Sequence, residues 1–258
     1  MSPFDFEITH LKVFGLVFVR MTALFVVAPF FGSRTIPAAI KVSLALVLSL
    51  ILTPLIPVPE APFPEDAVGY ALLGVGEVAV GLIMGFMMFL VFMATQVGGQ
   101  VIDLQMGFGL QNILNPAFET QFPLVGFLYY LMAILIFLGL EGHHKILMFL
   151  VTSFRRVPIT TFNLDSMVLT RVVEAFAALF STGVRIAAPA LAALILTSVA
   201  MGILARLVPQ INFLNVGFSV RIAAGLVMIY FSLGMFGLLV RGALDGMWRD
   251  VAFMLRHM

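Results

Sequence analysis

Charged side chains inside long apolar stretches are the residues of this sequence most able to do chemistry. Each costs at least about 2.5 kcal/mol near the centre of a bilayer unless it is paired or hydrated. They could form a polar pathway or a proton relay, or they could form ion pairs between helices, such as Glu77 with Arg20 or Arg185. A third alternative is that these helices never sit fully in lipid. A relay usually needs several carboxylates on neighbouring spans, and Glu77 is nearly alone, so the sequence favours structural ion pairs. The candidates are Arg20, Glu77, Asp103, Glu174, Arg185 and Arg221.

The segment 98–121 combines glycines, amide side chains and a proline with interleaved apolar residues. Irregular backbone at membrane depth is tolerated only where it is buried in protein or lines a cavity, and such breaks mark transport sites. The glycines would allow the chain to bend, and the apolar side chains would allow it to close. The pattern therefore predicts a broken or re-entrant segment here.

Gly81 and Gly85 form a GxxxG motif, which lets a second helix approach closely. Ordinary packing of a helical bundle explains the motif, and a soft methionine collar around a pore is the alternative. The methionines concerned are Met84, Met87, Met88 and Met93.

Metal, nucleotide and catalytic centres have no convincing pattern in the sequence. Glu141 and His144 have the i, i+3 spacing of a carboxylate-bridged di-metal site, but the second such pair is missing. There is no Cys and no GxxxxGK[ST] run, so neither thiolate ligands nor a P-loop is predicted. Ser198 and Ser219 have no His at membrane depth to act as a base, which argues against an intramembrane hydrolase. We expect no cofactor, no metal and no enzymatic activity.

The composition indicates that these residues belong to a membrane protein. Of the 258 residues, 62% are hydrophobic and 10% are charged, and the mean hydropathy is +1.13. Soluble domains carry about 25% charged residues, so a soluble fold would lack the charges to cover its surface. The net charge is +1, without a basic stripe, so membrane lipid is an expected partner and nucleic acid is not.

Apolar stretches of about 20 residues, enough to cross a bilayer, divide the chain. They lack the alternation of barrel strands, so the predicted fold class is all-α: a polytopic helical membrane protein of about six long helices with a broken segment near 98–121. The proline-rich, acidic run 54–66 is the clearest loop, and 98–121 and 141–171 are long connections. The apolar stretches are about 11–31, 38–57, 67–97, 172–205 and 213–240, with a marginal one at 122–140, within a single integrated domain, 1–258.

Several motifs, taken in their order and spacing, resemble the FliR family of flagellar biosynthetic proteins and its virulence injectisome counterparts. The similarity runs over essentially the whole chain, and the LQMG run together with the PQ-centred turn followed by GF is specific in combination. Family members commonly have GFP after that turn, whereas this chain has Gly217, Phe218 and Ser219. The motifs are QVGGQVIDLQMGFG at 96–109, NP at 115–116, EGHH at 141–144, RRVPI at 155–159 and MGILARLVPQINFLNVGF at 201–218.

The resemblance implies a subunit of the flagellar type III secretion export gate, located in the bacterial inner membrane at the flagellar basal body. It implies assembly with the FliP and FliQ subunits and with FlhB, and the passage of unfolded flagellar proteins. It also implies that 1–171 is similar to a FliP-type subunit and 172–258 to a FliQ-type hairpin with a C-terminal tail. The family's pore plug falls on Met106, Gly107, Phe108, Gly109, Leu110, Ile113, Leu114, Asn115 and Pro116.

Two functions compete for the segment 98–121. One is a protein-conducting gate that closes with an apolar plug. The alternative is a small-ion or metabolite transporter, with Asp103 and the broken backbone as a site near the middle of the membrane. A transporter usually shows inverted repeats, and none is visible in the sequence, so we favour the gate.

Overall fold

A computed structural model of the chain describes residues 3–32, 36–56, 63–64, 66–108, 123–208 and 213–258, with the backbone alone described at 3–8 and 213–215. These ranges contain α-helices and no strand, which confirms the predicted all-α fold. A 3-10 turn, Thr53–Leu55, extends the second helix. The helices are α1 (Pro3–Val27), α2 (Ala38–Leu52), α3 (Ala67–Met106), α4 (Leu124–Gly139), α5 (Gly142–Arg156), α6 (Ser166–Leu207) and α7 (Phe213–His257).

Five of these helices are long and apolar enough to cross a membrane, which confirms the polytopic class. The pair α4 and α5 adds a sixth candidate if the two helices are counted as one bent span. Glu141 lies in the break between them and has a left-handed φ of 54°. Because the left-handed region is not continued as a helix by L-residues, the two helices remain separate elements.

Two helices differ from the sequence-based expectation. α3 continues through 98–106, the beginning of the segment for which the sequence predicts a break. α5 lies in 141–171, which the sequence predicts to be a connection. α5 buries Ile146, Leu150 and Phe154 on one face while its ends carry basic residues. The longest apolar run of α5 is the six residues 146–151, so a search for runs of about 20 residues misses this amphipathic helix.

One compact unit, unit 1, consists of Met1–Leu90, Leu140–Ala175 and Gly246–Met258. Within it α3 crosses α1 at two glycines. A Cβ on Gly81 would lie 2.5 Å from the carbonyl oxygen of Arg20, and one on Gly85 would lie 3.1 Å from that of Leu24. Only glycine permits such a close backbone approach at Gly81. The neighbouring Met84, Met87 and Met88 are all buried and belong to the core of this unit.

The C-terminal end of α7 also belongs to unit 1. Trp248 stacks on Phe149 with ring centroids 5.1 Å apart, and the Asn163 N–H donates to the Met258 carbonyl oxygen at 3.1 Å. Four apolar residues of this end are buried as well, so it contributes to the core rather than forming a loose tail. They are Met247, Val251, Met254 and Leu255.

The second compact unit, unit 2, consists of Val91–Gly139 and Phe176–Asp245. Aromatic pairs join its helices: Phe92 meets Phe137 edge to face at 5.4 Å, and Tyr129 lies 4.6 Å from Phe236. Such pairs contribute about 0.5–1.5 kcal/mol beyond the area they bury. Residue 171 is where the family resemblance divides the chain. Neither unit ends there, because α3, α6 and α7 each contribute residues to both units.

Candidate functional site

The predicted plug, Met106–Pro116, begins where α3 ends. Gly107 has a φ of 93°, in the left-handed region that favours glycine. The Gly107 N–H donates to the Leu104 carbonyl at 3.2 Å, and the Phe108 N–H donates to the Asp103 carbonyl at 3.1 Å. These bonds close the last turn of α3 in the manner of a glycine C-cap. The rest of the predicted plug, Gly109–Pro116, lies outside the described residues.

Two apolar side chains hold this turn against α7 within unit 2. Met106 is fully buried, and a Cβ on Gly225 would lie 2.7 Å from its sulfur. The ring of Phe108 meets Phe218 edge to face, with centroids 6.3 Å apart. The start of the segment is therefore fixed by apolar contacts on a neighbouring helix.

Asp103 acts as a cap for another helix. Its carboxylate oxygens accept hydrogen bonds from the Val125 and Gly126 N–H groups, each at 3.0 Å. These amides lie in the first turn of α4, where backbone donors have no partner inside the helix and a negative charge is favoured. The buried carboxylate thus has a structural role in joining the end of α3 to the start of α4.

The glycines before Asp103 bring helices together and do not break α3. A Cβ on Gly98 would lie 2.7 Å from the Gly183 carbonyl oxygen of α6, and one on Gly99 would overlap the Gly126 Cα of α4. Space for a side chain is missing at both positions. These glycines allow the helices to cross closely. From the sequence alone, glycines that allow a close crossing cannot be distinguished from glycines that allow a bend.

Arg20 is the centre of a buried polar network in unit 1. Its Nε pairs with a Glu77 carboxylate oxygen at 2.5 Å, its Nη1 donates to Ser153 Oγ at 3.2 Å and its Nη2 donates to the Val157 carbonyl at 3.0 Å. The guanidinium also lies 4.2 Å from the centre of the Phe154 ring. Arg20 is 0% exposed and Glu77 is 1% exposed, so both charges are neutralised inside the protein.

The other predicted charges have different surroundings. Arg185 is exposed on α6, and Pro189, one turn later, has no N–H to donate to the Arg185 carbonyl. Arg221 is half-buried, and its Nε has no hydrogen-bond partner among the described residues. Glu174 accepts from Arg171 at 2.9 Å, and Arg171 also donates to Asp250. Glu77 therefore pairs with Arg20, one of the two partners that the sequence offers for it.

Sequence reasoning missed several partners of these charges. Ser153, Phe154 and Val157 all come from the α5 region, which has no apolar run of membrane-spanning length. The i, i+3 spacing of Arg171 and Glu174 could have identified that exposed pair. No pattern in the sequence pointed to the contact of Arg171 with Asp250, 79 residues away.

Among the residues that the structure describes, Glu141 and His144 have no further side chain beside them that could complete a metal site. The His144 Nδ1 lies 3.6 Å from a Glu141 oxygen, and both side chains are exposed. Throughout the described ranges, no group of three His, Asp or Glu side chains is placed to hold a metal ion. The contacts of the buried polar groups among the described residues thus indicate that these groups pack and cap helices.

The family model and the individual relatives that match this chain all point to the same family of proteins. Residues 11–247 match the family described as bacterial export proteins, family 1. The flagellar biosynthetic protein FliR of Bacillus subtilis (strain 168) is 34% identical over 232 residues, which cover 88% of both chains. The FliR of Aquifex aeolicus (strain VF5) is 31% identical over 84% of both chains. The FliR of Escherichia coli (strain K12) is 27% identical over 86% of this chain and 84% of that protein.

Proposed function

Because the chain belongs to family 1 of the bacterial export proteins, we propose that it is an export-gate subunit of the flagellar type III secretion apparatus. In this role it forms part of the protein-conducting channel, and Met106–Pro116 forms the plug that closes it. The family match confirms the resemblance that the sequence motifs predict. The proposed role moves chains without chemical conversion, so it requires no catalytic residue or cofactor in this subunit.

The apolar turn at the end of α3 is the observation that supports the plug. Gly107 turns the backbone out of the helix, while Met106 and Phe108 are held on α7 next to Gly225 and Phe218. These contacts with α7 are apolar, so releasing the segment from α7 does not require these contacts to give up hydrogen bonds. Methionine and phenylalanine also suit varied exported sequences, because they pack without requiring a fixed hydrogen-bond pattern.

The alternative function, a small-ion or metabolite transporter, has less support. It places a binding site at Asp103, but both oxygens of that carboxylate accept backbone N–H groups of α4. An ion at Asp103 would compete with these two bonds. A hydrogen bond to a charged group contributes about 1.5–3 kcal/mol, so ion binding there would weaken the start of α4.

The proposed partners are the FliP and FliQ subunits of the gate and FlhB, and the proposed passengers are unfolded flagellar proteins. The proposed location is the bacterial inner membrane at the flagellar basal body. The support is the family match together with the apolar helices, five of which are long enough to span a membrane. In the domain scheme we propose, residues 172–258, which include most of α6 and all of α7, form the FliQ-type hairpin with a C-terminal tail, and residues 1–171 form the FliP-type part.

The plug is tested with two variants in cells that overproduce the gate, Phe108→Ala and deletion of 107–110. Both should leave the complex assembled, because the residues removed lie at the end of α3 and after it. We expect a several-fold rise in the leak of ions or small solutes, since a dry apolar constriction blocks ions only while it is packed.

Leu104→Ala is the matched control. Leu104 lies one turn before Phe108 and is 68% exposed, so its truncation changes apolar volume near the segment without removing the contact with Phe218. The control should not leak. Unchanged leak in both test variants, with normal assembly, would place the seal elsewhere and overturn the assignment of the plug.

A further inference from the structure

α2 differs from the other membrane-length helices in how little of it is covered by protein. In its apolar window, Ala38–Leu55, 11% of the residues are buried, compared with 44% in Thr9–Val27 of α1. The buried residues of the helix are two small ones, Ala45 and Ser49. α2 packs against α1, and the narrow stripe formed by these small residues is enough for that contact.

The rest of the circumference of α2 is an exposed aliphatic surface. At 100° per residue, its exposed large side chains cover an arc of about 220°, whereas a packed helix typically buries a stripe about 100° wide. A single additional helix could therefore cover less than half of the arc. The exposed residues are Ile40, Val42, Leu44, Leu46, Val47, Leu50, Ile51 and Leu55.

The composition of this surface fits lipid better than a protein partner. The chain has 26 Phe, 4 Tyr and 1 Trp, but none of them lies in 38–55. Buried cores of protein interfaces are enriched in aromatic residues and methionine, and 38–55 contains neither kind. Acyl chains impose no specific shape, so a uniform Leu, Ile and Val surface is sufficient to contact them.

The length and charge of α2 point in the same direction. The 18 residues of Ala38–Leu55 correspond to about 27 Å of helix, close to the hydrocarbon thickness of about 30 Å. Lys41 is the only charged residue in this stretch and lies one turn from its beginning. At that position the long side chain can reach the headgroup region while its stem remains among apolar groups.

We propose that α2 is a lipid-facing span of this protein, with its exposed arc covered by phospholipid acyl chains and not by another protein. This assignment is independent of the proposed export function, because it rests on the exposure, composition and length of one helix. It also gives the chain a fixed depth in the bilayer, with the centre of the hydrocarbon near Leu46 and Val47.

The absence of Cys from the chain makes a direct test possible. A nitroxide label is attached to single-cysteine variants of the full chain, purified with its co-isolating proteins and placed in vesicles of phosphatidylcholine and phosphatidylglycerol. Leu46→Cys and Leu50→Cys report on the exposed arc. Ala45→Cys, on the side of α2 that faces α1, is the matched control. Collisions of the label with oxygen report lipid, and collisions with a water-soluble nickel chelate report water.

We expect oxygen accessibility at Leu46 and Leu50 to be several-fold higher than at Ala45, with low nickel accessibility at all three positions. In a second series, labels at Ile40, Val47 and Leu55 should give the greatest depth at Val47 and smaller depths at both ends. High nickel accessibility on the arc would mean water, and immobilised labels with low oxygen accessibility would mean a protein partner. Either result, or a depth profile without a maximum, overturns the proposal.

Discussion

At the scale of single residues, Arg20 shows how a charge is accommodated in an apolar helix. Its three hydrogen bonds and the Phe154 ring replace the water that the guanidinium loses. Removing one partner of a buried ion pair costs about 3–5 kcal/mol, because the other charge stays buried alone, while replacing both by apolar residues is often close to neutral. The pair therefore acts as a unit.

We predict that Arg20→Met and Glu77→Leu each destabilise the purified protein by about 3–5 kcal/mol, and that the double variant regains most of this loss. Thermal melting of the purified export complex measures the effect. Ser153→Ala, which removes one hydrogen bond to the same guanidinium, is the control and should cost about 1.5–3 kcal/mol. A double variant no more stable than the single ones would show that the pair is not the source of the effect.

Arg185 and Arg221 require a different explanation, because neither has an acidic partner among the described residues. Arg185 is exposed on α6, and a charge exposed to lipid within an apolar span costs at least about 2.5 kcal/mol unless it is paired or hydrated. We predict that Arg185→Leu and Arg221→Leu lower the yield of assembled complex, and that Lys restores it only in part, because Lys lacks the planar fork of Arg.

Co-purification from gently solubilised membranes measures this yield. Arg206→Leu is the matched control, since Arg206 is exposed in the last turn of the same helix and can remain at an interface. Normal yield in both Leu variants, combined with loss of export, would instead indicate that the two arginines act directly in the pathway.

At the scale of helices, the crossing of α3 with α6 depends on the absence of a side chain at Gly98. The space for a Cβ on Gly98 is occupied by a backbone oxygen at 2.7 Å, which cannot move aside as a side chain could. We predict that Gly98→Ala lowers stability by about 1–3 kcal/mol, the usual cost of overpacking. The melting temperature of the purified complex is the measurement.

Gly74→Ala on the same helix is the control for Gly98→Ala, because nothing lies within 4 Å of the position of its Cβ. It should be neutral or stabilising by up to about 1 kcal/mol, since alanine is the better helix former. Equal melting temperatures for the two alanine variants would contradict the close-packing account.

The helices of this protein differ in how well the sequence predicts them. The long apolar helices follow from composition alone, because lipid requires every backbone group to be bonded within the helix. The pairing of Arg20 with Glu77 was one of two options, since the sequence gives no distance between helices. The sequence did not predict α5 or the continuation of α3 through Gly98. α5 has the alternating polar and apolar spacing of an amphipathic helix, so it does not appear as a long apolar run. In α3, glycines are equally compatible with a bend and with a close helix contact.

At the scale of the whole molecule, the lengths of the helices exceed what one bilayer needs. α3, α6 and α7 contain 40, 42 and 45 residues, or about 60–68 Å along their axes, twice the hydrocarbon thickness of about 30 Å. Much of α6 and α7 is nonetheless apolar and exposed, for example Leu196, Ile203 and Leu238. Apolar surface beyond the reach of lipid must be covered by protein.

We therefore predict that the protein is not stable as a single chain. Gentle solubilisation should isolate it with other membrane proteins, and stripping these away should cause aggregation, because large exposed apolar patches mark interaction sites. Size-exclusion chromatography with light scattering measures the mass of the particle. A stable, monodisperse particle with the mass of one chain and its detergent would contradict this prediction.

The contribution of the last helical turns of α7 to unit 1 also sets the order of folding. The core that α1 begins is completed by Trp248, Val251 and Leu255, and Asp250 binds Arg171. Domains generally form as the chain emerges from the ribosome, N-terminal part first. Here the core around α1 cannot be completed until the residues after 246 have been synthesised. A ribosome that stops early thus releases a chain whose first core cannot close, and cellular proteases can recognise such a chain before it enters an assembly.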